Sequence, residues 1–373
     1  MGLNSIEVKR RNRNNVLMYM LKNGQVSKSS VASALKLSIP TVTQCLNELQ
    51  EIGLVKEEGA MESIGGRKSA GYRGIRNAKV AIGVDITRNH VNAVVTDLSL
   101  DLLYSKRVNI RLHDDQESYD KLKEIIISSI EESGIDQSSV LGLGISLPAI
   151  IDETGTRLNA LHEQMEISYY LYDIVKDWFP FPVHLENDAN SAGRAEIKLS
   201  GSSKDTVFFF VSPSVGGAVM IDGKSVYGRV RRAGEFGHMT LVPGGRKCYC
   251  GRMGCMDAYC STELLSECTD GNLREFFSQL SLENEECMAV WEEYLDYIAL
   301  AIHNLIAAFD MEIIIGGYLG QYLGPYLNRL EARIRKLDPY LSDIKFIKTA
   351  RLKYEASAIG AASIFIENYL SEI

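Results

Sequence analysis

Three of the chain's 7 cysteines fall in one short run, Cys248-Tyr249-Cys250-Gly251-Arg252-Met253-Gly254-Cys255, and His238 precedes them closely. Three thiolates and one imidazole at this spacing suit a closed tetrahedral site of the structural zinc kind. Gly251 and Gly254 give the loop between the ligands the backbone freedom it needs. The expected cofactor is one Zn2+ per chain, held by His238, Cys248, Cys250 and Cys255. A disulfide and a thiol redox switch are the alternatives. The first fits poorly with a reducing compartment, and the second requires no particular histidine. Cys45, Cys260, Cys268 and Cys287 lie outside the pattern and read as apolar filling.

A metal loop of this size is an appendage to a larger fold. The chain has 373 residues, room for two to three domains at about 150 residues each. Hydrophobic residues make up 46% and charged residues 24%. That balance excludes a disordered chain, a collagen and a disulfide miniprotein. No run approaches the roughly 18 apolar residues of a membrane span. The opening stretch through Asn15 has no apolar signal core, so a cytoplasmic chain is expected.

Charge divides the chain. Residues 1–78 hold 12 Lys/Arg against 6 Asp/Glu, a net of +6, which leaves 28 against 42, a net of −14, for the remainder. A basic head on an acidic body suits nucleic-acid binding at one end only. A solvated tail at Lys9–Arg13 would account for the charge equally well. Periodicity favours the first reading. Leu17, Met20 and Leu21 repeat at helical spacing before a stop at Asn23-Gly24. Ser27 can cap a second helix burying Val31, Ala34 and Leu35, and Ser38 a third burying Val42, Cys45, Leu46 and Leu49. The opposite face of that third helix offers Thr41, Thr43, Gln44 and Asn47, short polar side chains able to reach base edges in a major groove. Gly53-Leu54-Val55 starts a strand, and Ser63–Lys68 returns as a wing whose Arg67 and Lys68 can meet the negative minor groove. The stretch resembles bacterial winged helix-turn-helix domains; three short helices also serve as protein-binding modules.

The expected boundaries are 1–70 for the winged helix, 71–78 for a Gly- and Arg-rich linker, and 79–373 for an α/β body. Val80–Ile86 and Val91–Asp97 read as a hairpin turning at Arg88-Asn89. Thr206–Ser212 and Gly217–Ile221 repeat the plan about 120 residues on. Doubled hairpins imply two lobes with ligand between them: one about 79–190 plus a C-terminal helix at Ala356–Ser363, the other about 191–352. Further strands are expected at 142–148, 183–186 and 312–316, and a long apolar helix at 294–309.

At this point the sequence resembles a known family. Gly234-Glu235-Phe236-Gly237-His238 followed by Cys-x-Cys-Gly-x-x-Gly-Cys-x-Asp is similar to the signature of the ROK family of repressors and sugar kinases. Glu186-Asn187-Asp188-Ala189-Asn190, Gly142–Pro148 and Gly360-Ala361-Ala362 look like further family segments. The resemblance implies an α/β, two-lobed, actin-like body with a sugar between the lobes and a structural zinc site. Asn187 and Asp188 would bond sugar hydroxyls, the latter matching the kinases' general base. Glu235 would accept another hydroxyl, and His238 would reach sugar with one ring nitrogen and zinc with the other. Asp257 replaces a family glutamate that the resemblance places on the sugar, and is expected there with a shorter reach. His162 falls near a family asparagine that contacts sugar.

The phosphate loops separate repressor from kinase. ROK kinases carry Asp-x-Gly-Gly-Thr in the first hairpin, where this chain has Asp85-Ile86-Thr87-Arg88-Asn89. Their Gly-Thr-Gly-x-Gly-Gly-Gly becomes Ser212-Pro213-Ser214-Val215-Gly216-Gly217-Ala218. Pro213 removes an amide, and side chains stand where phosphate oxygens would pass. The expectation is a sugar-responsive repressor, a homodimer or a dimer of dimers with no enzymatic activity, that binds an inverted-repeat operator and is released by a mono- or oligosaccharide. An ATP-dependent sugar kinase and a zinc-based thiol sensor are the alternatives.

Overall fold

The computed structural model describes residues 5–60, 70–203, 205–341 and 345–373. Three helices open it: α1 (Ser5–Asn23), α2 (Lys28–Leu35) and α3 (Ile39–Glu51). The Ser27 hydroxyl and Ser30 close a capping box, and Ser38 accepts from the Thr41 amide. Hydroxyls thus meet amides that have no partner at a helix start. Leu17, Met20, Leu21, Val31, Val42, Cys45, Leu46 and Leu49 are buried as the periodicity requires. Ala34 is exposed instead, because α2 turns Val31 and Ala32 inward. The basic run at Lys9–Arg13 is helical, and Arg13 reaches Glu48 of α3 at 2.8 Å.

Three short strands, β1 (Val26–Ser27), β2 (Val55–Ala60) and β3 (Ala70–Gly74), complete the head in the order β1-β3-β2. Residues 71–74, expected as linker, therefore form the central strand of this sheet. Glycine content suggests a loop, but antiparallel pairing on both edges overrides it, with Val26 opposite Tyr72 and Val55 opposite Gly74. The expected wing at Ser63–Lys68, with Arg67 and Lys68, lies outside the described residues.

The body begins with β4 (Val80–Ile86), β5 (His90–Thr96), β6 (Leu102–Asn109), β7 (Val140–Leu147), a small hairpin of β8 (Ala149–Ile151) and β9 (Leu158–Leu161), and β10 (Val183–Asn187). Its sheet runs β10-β7-β4-β5-β6, parallel through β10, β7 and β4 and antiparallel beyond. A second sheet repeats the arrangement. β11 (Thr206–Val211), β12 (Val215–Ile221), β13 (Lys224–Ser225), β14 (Glu312–Gly316) and β15 (Ile347–Thr349) take the order β13-β12-β11-β14-β15, again an antiparallel hairpin beside parallel strands.

Helices cover both sheets: α4 (Gln116–Ser133), α5 (Leu171–Val175), α6 (Asp188–Ser200), α7 (Asp257–Cys260), α8 (Glu263–Ser266), α9 (Leu273–Ser281), α10 (Glu285–Phe309), α11 (Gly317–Gly320), α12 (Leu327–Leu337) and α13 (Ala356–Glu372). Each lobe has its own apolar core, around Ile82, Ile126 and Leu143 in one and Phe209, Trp291 and Ile302 in the other. Helix α13 packs on α6, β4 and β7. The approach needs glycine: a Cβ on Gly83 would lie 1.8 Å from the Ala358 carbonyl oxygen.

A third core joins head to body. Leu17, Leu46 and Tyr72 share it with Val94, Ile359, Phe365 and Ile366. Arg76 donates to the Leu21 carbonyl through Nε and Nη2, and pairs with Asp101. No helix among the described residues is long and apolar enough to cross a membrane.

Candidate functional site

Strand β10 ends at Asn187, whose carboxamide caps α6 by accepting from the Asn190 amide at 2.9 Å. Its Nδ2 donates to the Ala149 carbonyl and to Asp188 Oδ1, each at 3.1 Å, and Oδ1 also receives Asn190 Nδ2. All four hydrogen-bonding positions of this side chain are therefore spent within the protein. Asn187, expected on the sugar, lines the cavity but acts by aiming Asp188. That carboxylate also accepts from the Ala189 amide at 2.8 Å. Burial and the nearby Glu235 charge push the Asp188 pKa up to about 6, against the Ala189 bond, which holds it down.

Asp188 faces a cavity of about 160 Å³ between the lobes, shared with His162, Asn190, Glu235, His238 and Tyr249. Glu235 precedes a short turn, Phe236–His238, that follows Gly234 at φ +90°. A side chain at Gly234 would meet the Gly217 carbonyl oxygen at 2.2 Å, so glycine lets this turn press against β12. Burial raises the Glu235 carboxyl, and Arg232 opposes the rise.

The two nitrogens of His238 point to different chemistry. Nε2 lies 3.2 Å from the Tyr249 hydroxyl and 3.9 Å from Glu235, on the cavity side. Nδ1 is buried and has no hydrogen-bond partner. Ligand atoms of His238, Cys248, Cys250 and Cys255 all lie within 4.8 Å of one another, and the Cys250 and Cys255 sulfurs are 3.7 Å apart. A buried imidazole nitrogen without a partner among the described residues, on a histidine grouped with three thiols, fits a bound metal ion.

His162 arrives from the other lobe. Its Nδ1 accepts from the Gln164 amide at 3.3 Å, so Nε2 carries the proton and is left buried without a partner. Burial lowers its pKa, with help from Arg88, which keeps the ring neutral. The ring packs against Tyr249 at a tilt of 51°, with centroids 4.4 Å apart.

Asp257 departs from expectation. It does not line the cavity; its Oδ1 accepts from the Val215 amide at 2.6 Å, at the start of β12. It steadies the second hairpin. Asn190 and Tyr249 were not singled out by sequence reasoning. Asn190 Oδ1 is buried and unpaired beside Asp188. Tyr249 is carried into the cavity by the two cysteines that flank it, and that position was its only signal.

The two hairpin turns hold several of their own polar groups. The Thr87 amide donates to the His90 carbonyl and the His90 amide to Thr87 Oγ1. Ser212 Oγ accepts from the Tyr318 amide, and the Ser212 carbonyl from the Thr262 amide. Arg88 extends across the cleft to Glu263 at 3.4 Å. In the head, Gln44 and Asn47 are exposed on α3, Thr41 and Thr43 half-buried. Thr41 Oγ1 lies 2.8 Å from the Ser38 hydroxyl, and Gln44 donates to Glu48.

Comparison with known proteins agrees with this geometry. The ROK family matches residues 81–368, and a winged helix-turn-helix DNA-binding family matches residues 9–56. A xylose repressor of Caldicellulosiruptor bescii is 25% identical across 95% of both chains. A xylose repressor of Bacillus subtilis is 23% identical across 98% of this chain and 97% of its own. Among solved structures, a ROK family transcriptional regulator homologous to the Escherichia coli MLC protein has a TM-score of 0.76 at 21% identity, over 98% of this chain and 97% of its own. A ROK family glucokinase from Streptomyces griseus, in complex with glucose and AMPPNP, has a TM-score of 0.65 at 22% identity, over 76% of this chain and 98% of its own. The chain belongs to the ROK family, with a winged helix-turn-helix ahead of the family's two-lobed, actin-like body.

Proposed function

We propose that this chain is a sugar-responsive transcriptional repressor that is not itself an enzyme. One observation carries the reading. A cavity lined by polar side chains of both lobes sits in the same chain as a winged helix, while the Thr87 and His90 amides of the first hairpin turn are bonded within that turn. Repressor relatives that span nearly the whole chain support it.

In this reading Asp188 and Glu235 accept sugar hydroxyls. His162 Nε2 donates one bond, and Asn190 Oδ1 accepts another. The metal is zinc, one per chain, held by His238 Nδ1 and the sulfurs of Cys248, Cys250 and Cys255. Zinc supplies a fixed pivot: it sets the His238 ring so that Nε2 meets the sugar, and it orders the loop carrying Tyr249. The head binds an inverted repeat as a homodimer in the cytoplasm. Gln44, Asn47, Thr43 and Thr41 face the major groove, and Arg67 and Lys68 the backbone or minor groove. Sugar closes the lobes and weakens operator binding.

A sugar kinase is the second reading, since Asp85 and Asp188 line one cavity and lie close enough for their charges to interact. Two measurements decide between them. DNA selected on the protein should be released by one member of a sugar panel, and no ADP should form from ATP with any member. Turnover of ATP with the same sugar would overturn the repressor-only reading.

A further inference from the structure

Beside the small cavity lies a larger one of about 530 Å³. The two share Pro148, His162, Asp188, Phe210 and Ser214, so they form one continuous space. We propose that the effector is a neutral saccharide of at least two linked rings, with one ring in the small cavity and the next in the large one. The inference rests on the sugar-responsive reading and names the ligand class that reading leaves open.

Size is the first argument. Ligand sites generally enclose about 300–1,000 Å³. The small cavity, at about 160 Å³, falls below that range, and the two together fall within it. Charge is the second. Four carboxylates, Asp85, Asp188, Glu263 and Glu267, line the large cavity against two permanent cations, Arg88 and Lys353. Arg88 is already engaged by Glu263. Burial already raises Asp85 to about 7 and Asp188 to about 6, so protons neutralise part of this charge near pH 7; a nucleotide or a sugar phosphate would add negative charge beside them and raise both further. The Thr87 and His90 amides, which could have offset it, are bonded within their own turn.

Hydrogen-bonding capacity is the third. The Gln164 carboxamide and the Glu267 carboxylate line the large cavity from opposite lobes, and neither has a partner among the described residues. Arg88 Nε and His162 Nε2 are buried and unpaired among the described residues; Arg88 lines the large cavity and His162 lines both. Unpaired donors and acceptors on facing walls match a ligand rich in neutral hydroxyls. Phe210, Tyr318 and Tyr354 add aromatic side chains to the lining, the two tyrosine rings also meeting Arg107.

The test is calorimetric titration of the full zinc-loaded chain with matched pairs: xylose and xylobiose, glucose and cellobiose, N-acetylglucosamine and chitobiose, each beside MgATP. The expected result is one disaccharide binding at least about tenfold more tightly than its own monosaccharide, and no heat from MgATP. Gln164→Trp, which fills the large cavity, should collapse that ratio toward one. Glu267→Ala, on the opposite wall and free of overpacking, should reduce it severalfold. A monosaccharide that binds as tightly as its disaccharide overturns the two-ring assignment and leaves the repressor reading intact. MgATP binding overturns it by giving the cavity to a nucleotide. If no saccharide of any length binds, both readings fall.

Discussion

The Ser357 hydroxyl donates to the main-chain carbonyl of Asp188 at 3.2 Å. The bond ties the first turn of α13 to the first turn of α6 at the floor of the cleft. At the far end of α13, the Asn14 carboxamide of α1 donates to the Leu370 carbonyl. A helix of 17 residues, about 25 Å long at about 1.5 Å per residue, thus runs from the sugar-side carboxylate to the DNA-binding head. The head is docked on this rod through a shared core rather than hung on a tether.

Asn14→Ala should loosen that dock without touching the pocket or the face of α3. Allosteric coupling is commonly worth about 1–3 kcal/mol, or about 5–150-fold in affinity. The variant should keep sugar affinity within about twofold while the sugar-induced drop in DNA affinity shrinks severalfold. Fluorescence anisotropy on labelled DNA, with and without sugar, reads both. An undiminished drop would mean that the signal bypasses α13.

Gly360→Ala tests the close packing on which the rod depends. A Cβ there would fall 1.8 Å from the Ser191 carbonyl oxygen, a backbone atom that cannot move aside alone. Overpacking of this kind costs about 1–3 kcal/mol. Urea unfolding should show a midpoint shift of that order, and an unshifted midpoint would place the helix farther from α6.

Local signals were the legible part of this fold. Hydroxyl caps at Ser27 and Ser38, the repeat Val42-Cys45-Leu46-Leu49 and the doubled hairpins depend on neighbours in sequence, and each is present. Residues 71–74 were opaque because only pairing with two distant strands makes a Gly-rich segment a strand. The site was legible by residue type but less so by role. Asn187 is saturated by Ala149 and Asn190, and Asp257 is taken by Val215. Both facts are tertiary, so spacing alone gave no sign of them.

Metal content should follow the cysteines. The purified chain should hold about one zinc, and Cys250→Ser should lose it along with the sugar response, since nothing would then fix the His238 ring. Atomic emission on the dialysed variant provides the check. Full zinc in the variant would remove Cys250 from the ligand set.

Acid should stabilise the cleft. Burial, then the Asp188 charge, pushes the Asp85 pKa up to about 7, against bonds from Ser146 and the charge of Arg107; Asp188 stands at about 6. Unfolded aspartates titrate near about 3.9, so in both cases the fold favours the protonated form. That contribution is full below about pH 4 and is lost as pH rises through about 6 to 7. Asp85→Asn removes one of the two charges and keeps the shape. Its urea midpoint should fall less than that of the unmodified chain between about pH 5 and pH 8. Equal slopes would mean that Asp85 is not strained by burial.

Asp188→Ala separates sensing from DNA binding. The carboxylate is tied to Asn187 and the Ala189 amide and faces the cavity, while α3 lies outside the cleft. Losing a charged hydroxyl acceptor from a buried site costs about 1.5–3 kcal/mol, so sugar affinity should fall at least about tenfold. DNA affinity in the absence of sugar should stay within about twofold, because a ligand shifts a two-state equilibrium only through its preference for one state. The α6 cap belongs to Asn187, so the helix keeps its start in the variant. Titrating DNA affinity against sugar for both proteins tests the whole chain of reasoning. Parallel curves would take Asp188, and the cavity it faces, out of the response.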